Sequence, residues 1–367
     1  MNFFRTKPAG EIATVRVEKP LRAVELDAAM AQIADNVQPW DGTRIVLVRP
    51  LQDAARNHGQ VLLMKDTTSD DNREMAVKRM PTRWVCTDPQ KFDAKYPTAS
   101  EKPWQDLGFV QHLRTVDFPY VCEFLGMYRS DEDTYVATSF CDQGDLFGWC
   151  DNDRVPDPGP AREDHMRPIL AQIFAGVRWL HDLGIAHRDL SLENILLVGG
   201  IGNDAHVKII DFGMATLQRK TRNEVRGKNS YQAPETFAGG DVDTFLADCF
   251  ALGVVMFAMG AQDYPWTCTR RGKCQLFEYV NAFGMRKFLD KRRLRKGNGE
   301  FLSEVFTPDF IDTVDGLLLF DPRQRTCIGE ETFQEDLRRK KRRSSWETKY
   351  FQGVDAGVLS SPRSPGA

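Results

Sequence analysis

The sequence predicts an α+β chain long enough for two lobes or domains. Three observations predict it. Residues 44–80 hold three apolar runs of strand length, RIVLV, QVLLM and EMAVKRM. From Met166 to Leu183 the apolar residues Ile169, Ile173, Val177 and Leu180 recur at helical spacing instead. At 367 residues the chain can bury a large core, and that length suits two lobes. Strands gathered early and helices later make the class α+β.

Taken in order, residues 11–18 (EIATVRVE) alternate well enough for one strand. Residues 20–37 then set Leu26, Met30, Ile33 and Val37 on one helical face, with Pro20 suited to a first turn. Residues 1–43 are therefore expected to be an extension packed on the small lobe. The first residues lack a signal-peptide core, and Asn2 stands where myristoylation needs glycine, so cytoplasm or nucleus is the expected location. A hydrophobic share of 41% is ordinary for a globular chain, and no run of 18 apolar residues suggests a membrane span.

Eight scattered cysteines form no CxxC pair, which argues against zinc; without a secretory signal, disulfides are not expected. Residues 338–367 carry 8 Lys/Arg against 2 Asp/Glu, so an acidic body ends in a basic tail. An acidic body gives a weak long-range preference for basic peptides, and no nucleic-acid partner is expected. The run RRKKRR at 338–343 reads as the end of the last helix and as either a nuclear-localisation signal or a solvated tail. The Ser-, Pro- and Gly-rich remainder to residue 367 is expected to be disordered. Oligomeric state is not legible.

The most informative stretch is AHRDLSLENILL, Ala186 to Leu197. His187, Arg188, Asp189, Leu190 and Asn194 fit H-R-D-L-x-x-x-N, and KIIDFG follows, with Asp211-Phe212-Gly213 at its end. Ala233-Pro234-Glu235 comes next in order. Together these motifs resemble the eukaryotic protein kinase superfamily, from about residue 44 to about residue 335. The resemblance implies the bilobal protein kinase fold. Its small, β-rich N-lobe and hinge would span 44–140 and its large, mainly helical C-lobe 141–337, with 338–367 as the tail.

It also implies phosphoryl transfer from ATP to protein substrates, with Mg²⁺ bound by Asn194 and Asp211 and with Asp189 accepting the hydroxyl proton. Lys78, in Ala76-Val77-Lys78, would align the α- and β-phosphates. Its carboxylate partner should be a glutamate, but the family interval lands on Phe109, leaving Asp106 as the choice and Glu101 as the alternative. Thr138 would be the gatekeeper, Ser139 to Cys141 the adenine-binding hinge, and Asp145 a neighbour of the ribose. Val61, Ala76 and Leu196 would sandwich the adenine. By the same resemblance Asp248 holds the backbone of the HRD loop, and Glu235 pairs with Arg325.

Three departures stand out. The glycine-rich frame G-x-G-x-x-G-x-V holds Ala54, Arg56, Gly59 and Val61, so only the third glycine is present. Ser191 stands where serine/threonine kinases have a γ-phosphate-binding lysine, and Lys228 replaces the threonine beside it in GKNSYQAPE. Lys228 is therefore expected to supply the missing charge. Glu224, nine residues before Ala233, stands where an activating phosphothreonine is often found; paired with Arg188 it would order the segment, with Thr221 as the alternative phosphosite. A serine/threonine kinase is the expected activity. A dual-specificity kinase and a non-catalytic nucleotide-binding scaffold remain alternatives.

Overall fold

The computed structural model describes residues 19–68, 73–295, 299–329, 332–335 and 338–353. The strand expected at 11–18 and the tail beyond residue 353 lie outside them.

The small lobe is a six-stranded sheet. Its principal strands are β1 (Ile45–Ala54), β2 (Gly59–Asp66), β3 (Glu74–Pro81), β4 (Phe124–Arg129) and β5 (Asp133–Ser139). The order across the sheet is β4-β5-β3-β2-β1, and the short strand Gln38–Pro39 adds to β4 in parallel. Edge strand β1 is mostly exposed, whereas β2 and β3 bury Leu62, Met64, Met75 and Val77 on one face. β3 alternates buried and part-exposed positions over its first half, whereas β2 buries Leu62, Leu63 and Met64 in succession, as an apolar run covered on both faces does.

Helix α1 (Ala23–Asp35) buries Leu26 and Ile33, the stripe read from the sequence, against α2 (Pro103–Thr115). The close approach needs Gly108, where a Cβ would lie 2.6 Å from Met30 Cγ. The extension also reaches the large lobe, because Leu21 N–H donates to the Leu183 carbonyl at 2.9 Å. It therefore ties α2 to both lobes.

The large lobe is organised by α3 (Pro160–Asp182) and α4 (Thr244–Ala261). All of α4 except Ala247 is buried, so a helix long and apolar enough to span a membrane here forms the centre of a protein core. The hairpin β6 (Ile195–Val198) and β7 (His206–Ile209) lies at the lobe boundary, with Ile195 opposite Ile209.

The C-terminal segment departs from expectation. Residues 338–343 do not end a helix: Arg338–Lys341 is a strand paired with Thr332–Glu335. Arg342 donates to the carbonyls of Pro322, Arg323 and Arg325. Beyond it Tyr350 and Phe351 are buried, Phe351 packs 5.0 Å from the Phe174 ring, and the Tyr350 hydroxyl donates to the Glu163 carbonyl. The tail is thus docked as far as Phe351, because its aromatic residues Trp346, Tyr350 and Phe351 join the core of the large lobe.

Candidate active site

The site begins with the turn after α3. Asp248, buried on α4, accepts hydrogen bonds from the backbone N–H groups of His187 and Arg188, both at 2.8 Å, and contacts His181 Nε2 at 2.9 Å. These bonds hold Arg188 at φ 67°, a left-handed conformation costly for a side chain of this size. The bend turns Asp189 into the cleft. Asn194 Nδ2 donates to the Asp189 carbonyl at 2.7 Å and to its carboxylate at 3.1 Å. Tyr231 steadies the loop from below, its hydroxyl accepting from Leu192 N–H. Burial raises the Asp189 pKa above the usual carboxylate value, although the Arg56 guanidinium opposes the shift.

Asp211 enters from β7, also in a left-handed conformation, and the Ile210 N–H to Asn194 carbonyl bond ties the two segments together. Phe212 is fully buried between His187 and Phe109, with ring separations of 4.9 and 6.3 Å. Its N–H donates to Asp106 Oδ1 at 2.8 Å.

Lys78, on β3, faces this group. Burial would lower its pKa, but Asp211, Asp106 and Glu101 outweigh that effect and raise it, so the ammonium is held charged. Its nearest carboxylate is Glu101, at 3.9 Å. Burial first, and then the Asp211 charge, push the Glu101 carboxyl up to about 7.

These residues line one cleft of about 750 Å³ between the lobes. Val61, Ala76 and Leu196 form its apolar walls, and Thr138, Ser139, Cys141 and Asp145 its rear and rim. Thr138 Oγ1 faces the Ala76 carbonyl, 3.4 Å away. Ser139 N–H is taken by the Glu123 carbonyl at 2.9 Å, and Ser139 stands opposite Met75 at the end of β5. The Asp145 carboxylate caps the short helix Leu146–Cys150 through Gly148 N–H.

Below the cleft the segment after Asp211 returns to the loop. Lys228 Nζ lies 2.9 Å from Ser191 Oγ and 2.9 Å from Glu193 Oε2. Arg188 Nη1 pairs with Glu224 Oε2 at 2.7 Å, and Arg226 Nε joins the same oxygen at 3.2 Å. Thr221 is buried in a strand opposite Val242. Glu235 receives both arms of Arg325, at 2.6 and 2.8 Å, and that guanidinium is wholly buried.

Comparison with known families matches the protein kinase domain over residues 57–336. The chain is a member of the protein kinase family. Among its relatives, serine/threonine-protein kinase kin-29 of Caenorhabditis elegans is 30% identical over 43% of this chain and 18% of its own length. Testis-specific serine/threonine-protein kinase 3 of Mus musculus is 32% identical over 44% of this chain and 58% of its own. The probable serine/threonine-protein kinase KCC4 of Saccharomyces cerevisiae is 29% identical over 59% and 19%. The chain thus aligns with less than two thirds of the length of each of these relatives.

In this kinase the ion pair expected between Lys78 and Asp106 is replaced. Asp106 spends its carboxylate on Phe212 N–H, and Glu101, just before α2, is the acid within ion-pair range of Lys78. The physical reason is where the helix starts. The family interval, counted in sequence, lands on Phe109, which lies on α2 and packs on Phe212, whereas Glu101 precedes the helix, which begins at Pro103.

The loop between β1 and β2 also differs from the phosphate-cradling form. Ala55–Asn57 makes a single 3₁₀ turn, and Gly59 serves close strand packing, since a Cβ there would run into the Arg79 carbonyl. Arg56 Nη1 pairs with Asp189 Oδ2 at 2.8 Å, and Asn57 Nδ2 bonds to Glu101. In the sequence Arg56 shows only as a departure from the glycine frame, and Asn57 carries no motif signal. Tyr231 was likewise legible only as a segment position.

The donor set suits Mg²⁺ brought by a nucleotide. Asn194 uses its Nδ2 on Asp189, which leaves Oδ1 as an acceptor beside the Asp211 carboxylate. Among the described residues no group of three or more His, Cys, Asp or Glu side chains could hold a metal alone. Magnesium sites that borrow phosphate oxygens and water need only such a sparse protein contribution.

Proposed function

We propose that the chain transfers the γ-phosphoryl group of Mg·ATP to serine or threonine hydroxyls of protein substrates. The observation that carries this reading is the convergence of Lys78, Asp189, Asn194 and Asp211 on one cleft walled by Val61, Ala76 and Leu196. Names of relatives that include serine/threonine kinases support the choice of hydroxyl.

The chain's own groups divide the work. Asp189, held by Asp248 through the loop backbone, orients the substrate hydroxyl and takes its proton. Lys78 aligns the α- and β-phosphates, and Lys228 stands ready for the γ-phosphate at the site vacated by the family's lysine. Bound at Asn194 and Asp211, Mg²⁺ would neutralise triphosphate charge. Adenine would sit against Val61, Ala76 and Leu196, addressed by the Ser139 carbonyl and Cys141. Substrate basicity is read only weakly here, since Glu193 is paired with Lys228 and Asp145 caps a helix.

The test is phosphoamino-acid analysis after incubating the full chain with labelled Mg·ATP and a mixed protein substrate. Phosphoserine and phosphothreonine are expected. Phosphotyrosine beside them would make the enzyme dual-specificity, and nucleotide binding without transfer would make it a scaffold.

A further inference from the structure

The β1–β2 loop puts a cation where the family carries a glycine. Arg56 extends its guanidinium to Asp189 Oδ2 at 2.8 Å, sharing that oxygen with Asn194 Nδ2 at 3.1 Å. Its side chain remains 41% exposed, so one face of the fork is open to the cleft. Besides Asp189, Arg56 feels the charges of Glu101 and Asp211. It therefore lies at the centre of the acidic surface that a triphosphate would have to approach.

The rest of the loop is fastened independently. Asn57 bonds to Glu101, His58 sets its ring edge-on to Trp84 with centroids 4.8 Å apart, and Gly59 packs on the β3 backbone. The Arg56 side chain can thus swing without moving the strands. Lys78 and Lys228 line the same cleft.

The geometry points to Arg56 as a phosphate-binding residue of this kinase, taking the terminal phosphates of a nucleoside triphosphate. This rests on the nucleotide reading of the cleft. A triphosphate carries more charge than one carboxylate and offers paired oxygens that suit the planar fork, so it outcompetes Asp189 for the guanidinium. The side chain then supplies the contact that backbone N–H groups supply in a glycine loop. Its departure frees Asp189 Oδ2, the atom that must accept the substrate hydroxyl. Nucleotide and protein substrate should therefore bind in that order, because the base is occupied until the triphosphate arrives.

The experiment is calorimetric titration of the full chain, wild type and Arg56→Ala, with Mg·ATP and with adenosine, alongside KM for ATP. Arg56→Ala is expected to weaken Mg·ATP binding by about tenfold to a hundredfold, as for loss of a charge-assisted hydrogen bond, and to leave adenosine affinity unchanged. Arg56→Lys should recover part of the loss. Unchanged or tighter Mg·ATP binding by Arg56→Ala, with kcat raised, would show that the arginine only blocks the base, and would overturn the proposal. Equal loss of ATP and adenosine affinity would assign it a structural role in the loop and overturn it too. Failure of the wild-type chain to bind either compound would overturn the nucleotide reading itself, and this inference with it.

Discussion

Lys228 Nζ sits 2.9 Å from Ser191 Oγ, so the activation segment returns a cation to the position from which the catalytic loop has lost one. The two residues are far apart in sequence, and both depart from the family pattern. Their contact turns two separate anomalies into one exchange. Glu193 holds the ammonium from the other side at 2.9 Å, which fixes its direction without burying it fully.

If the exchange preserves stabilisation of the transferring phosphoryl group, Lys228→Thr alone should lower kcat by about a hundredfold. Adding Ser191→Lys should restore much of it, non-additively, because the two positions share one role. Steady-state kinetics on the single and double variants decides this. An unchanged kcat with an altered peptide preference would place Lys228 in substrate reading instead.

Glu224 is a permanent negative charge where other kinases await a phosphate. Burial pushes its carboxyl pKa up, but the hydrogen bond and charge of Arg188, with Arg226, outweigh this and leave it lowered. A lowered carboxyl contributes its full stabilisation above its unfolded value of about 4.3 and loses it only as pH falls through the folded value. The pair is therefore intact across the neutral range. Phosphatase-treated enzyme should stay active, and Thr221→Ala should matter little for activation, because the Thr221 side chain is buried. Glu224→Ala should lower activity at neutral pH. Treated enzyme that stays silent until Thr221 is phosphorylated would refute this account of the segment.

Asp106 and Glu101 can be told apart by charge. Asp106 adds negative charge near Lys78, but its direct contact is the acceptor oxygen for Phe212 N–H, which Asp106→Asn keeps. That variant should retain most activity, whereas Asp106→Leu should lose Mg·nucleotide affinity as Asp211 shifts with its neighbour. Were Asp106 the charge partner of Lys78, the two substitutions would be equally damaging in kinetic assays.

The docked tail makes a stability prediction. Phe351 is buried among Phe174, Trp346 and Tyr350, and Phe351→Ala should cost about 3 kcal/mol in equilibrium unfolding. A cost within about 0.5 kcal/mol, the range of ordinary surface substitutions, would mean that the segment does not hold the large lobe.

Legibility in the sequence followed how local each signal was. The strands at 44–80 and the α3 stripe were readable because apolar runs and helical spacing are properties of consecutive residues. Asp189, Asn194 and Asp211 come from short motifs whose hairpin necessarily brings them together. The Lys78 partner was not readable, because it depends on where α2 begins, and helix boundaries are the least certain feature of a sequence. Arg56 was harder still. Its partner is 133 residues away, and nothing local says which way a loop side chain turns. In the tail the Ser-, Pro- and Gly-rich composition argues for disorder, while Trp346, Tyr350 and Phe351 are the apolar residues that allow its first part to dock.

The central claim is that Asp189 is the base of a working phosphotransferase, and one comparison tests it most directly. Phosphoryl transfer from Mg·ATP to a serine-containing protein substrate should be measured for wild type and Asp189→Asn, with Mg·ATP affinity measured on both. The account predicts turnover by wild type, a loss of about a hundredfold or more in kcat for Asp189→Asn, and Mg·ATP binding that is retained or tightened, because Arg56 is released from its pair with Asp189. Equal turnover by the two proteins, or none by wild type while it binds Mg·ATP, would contradict it.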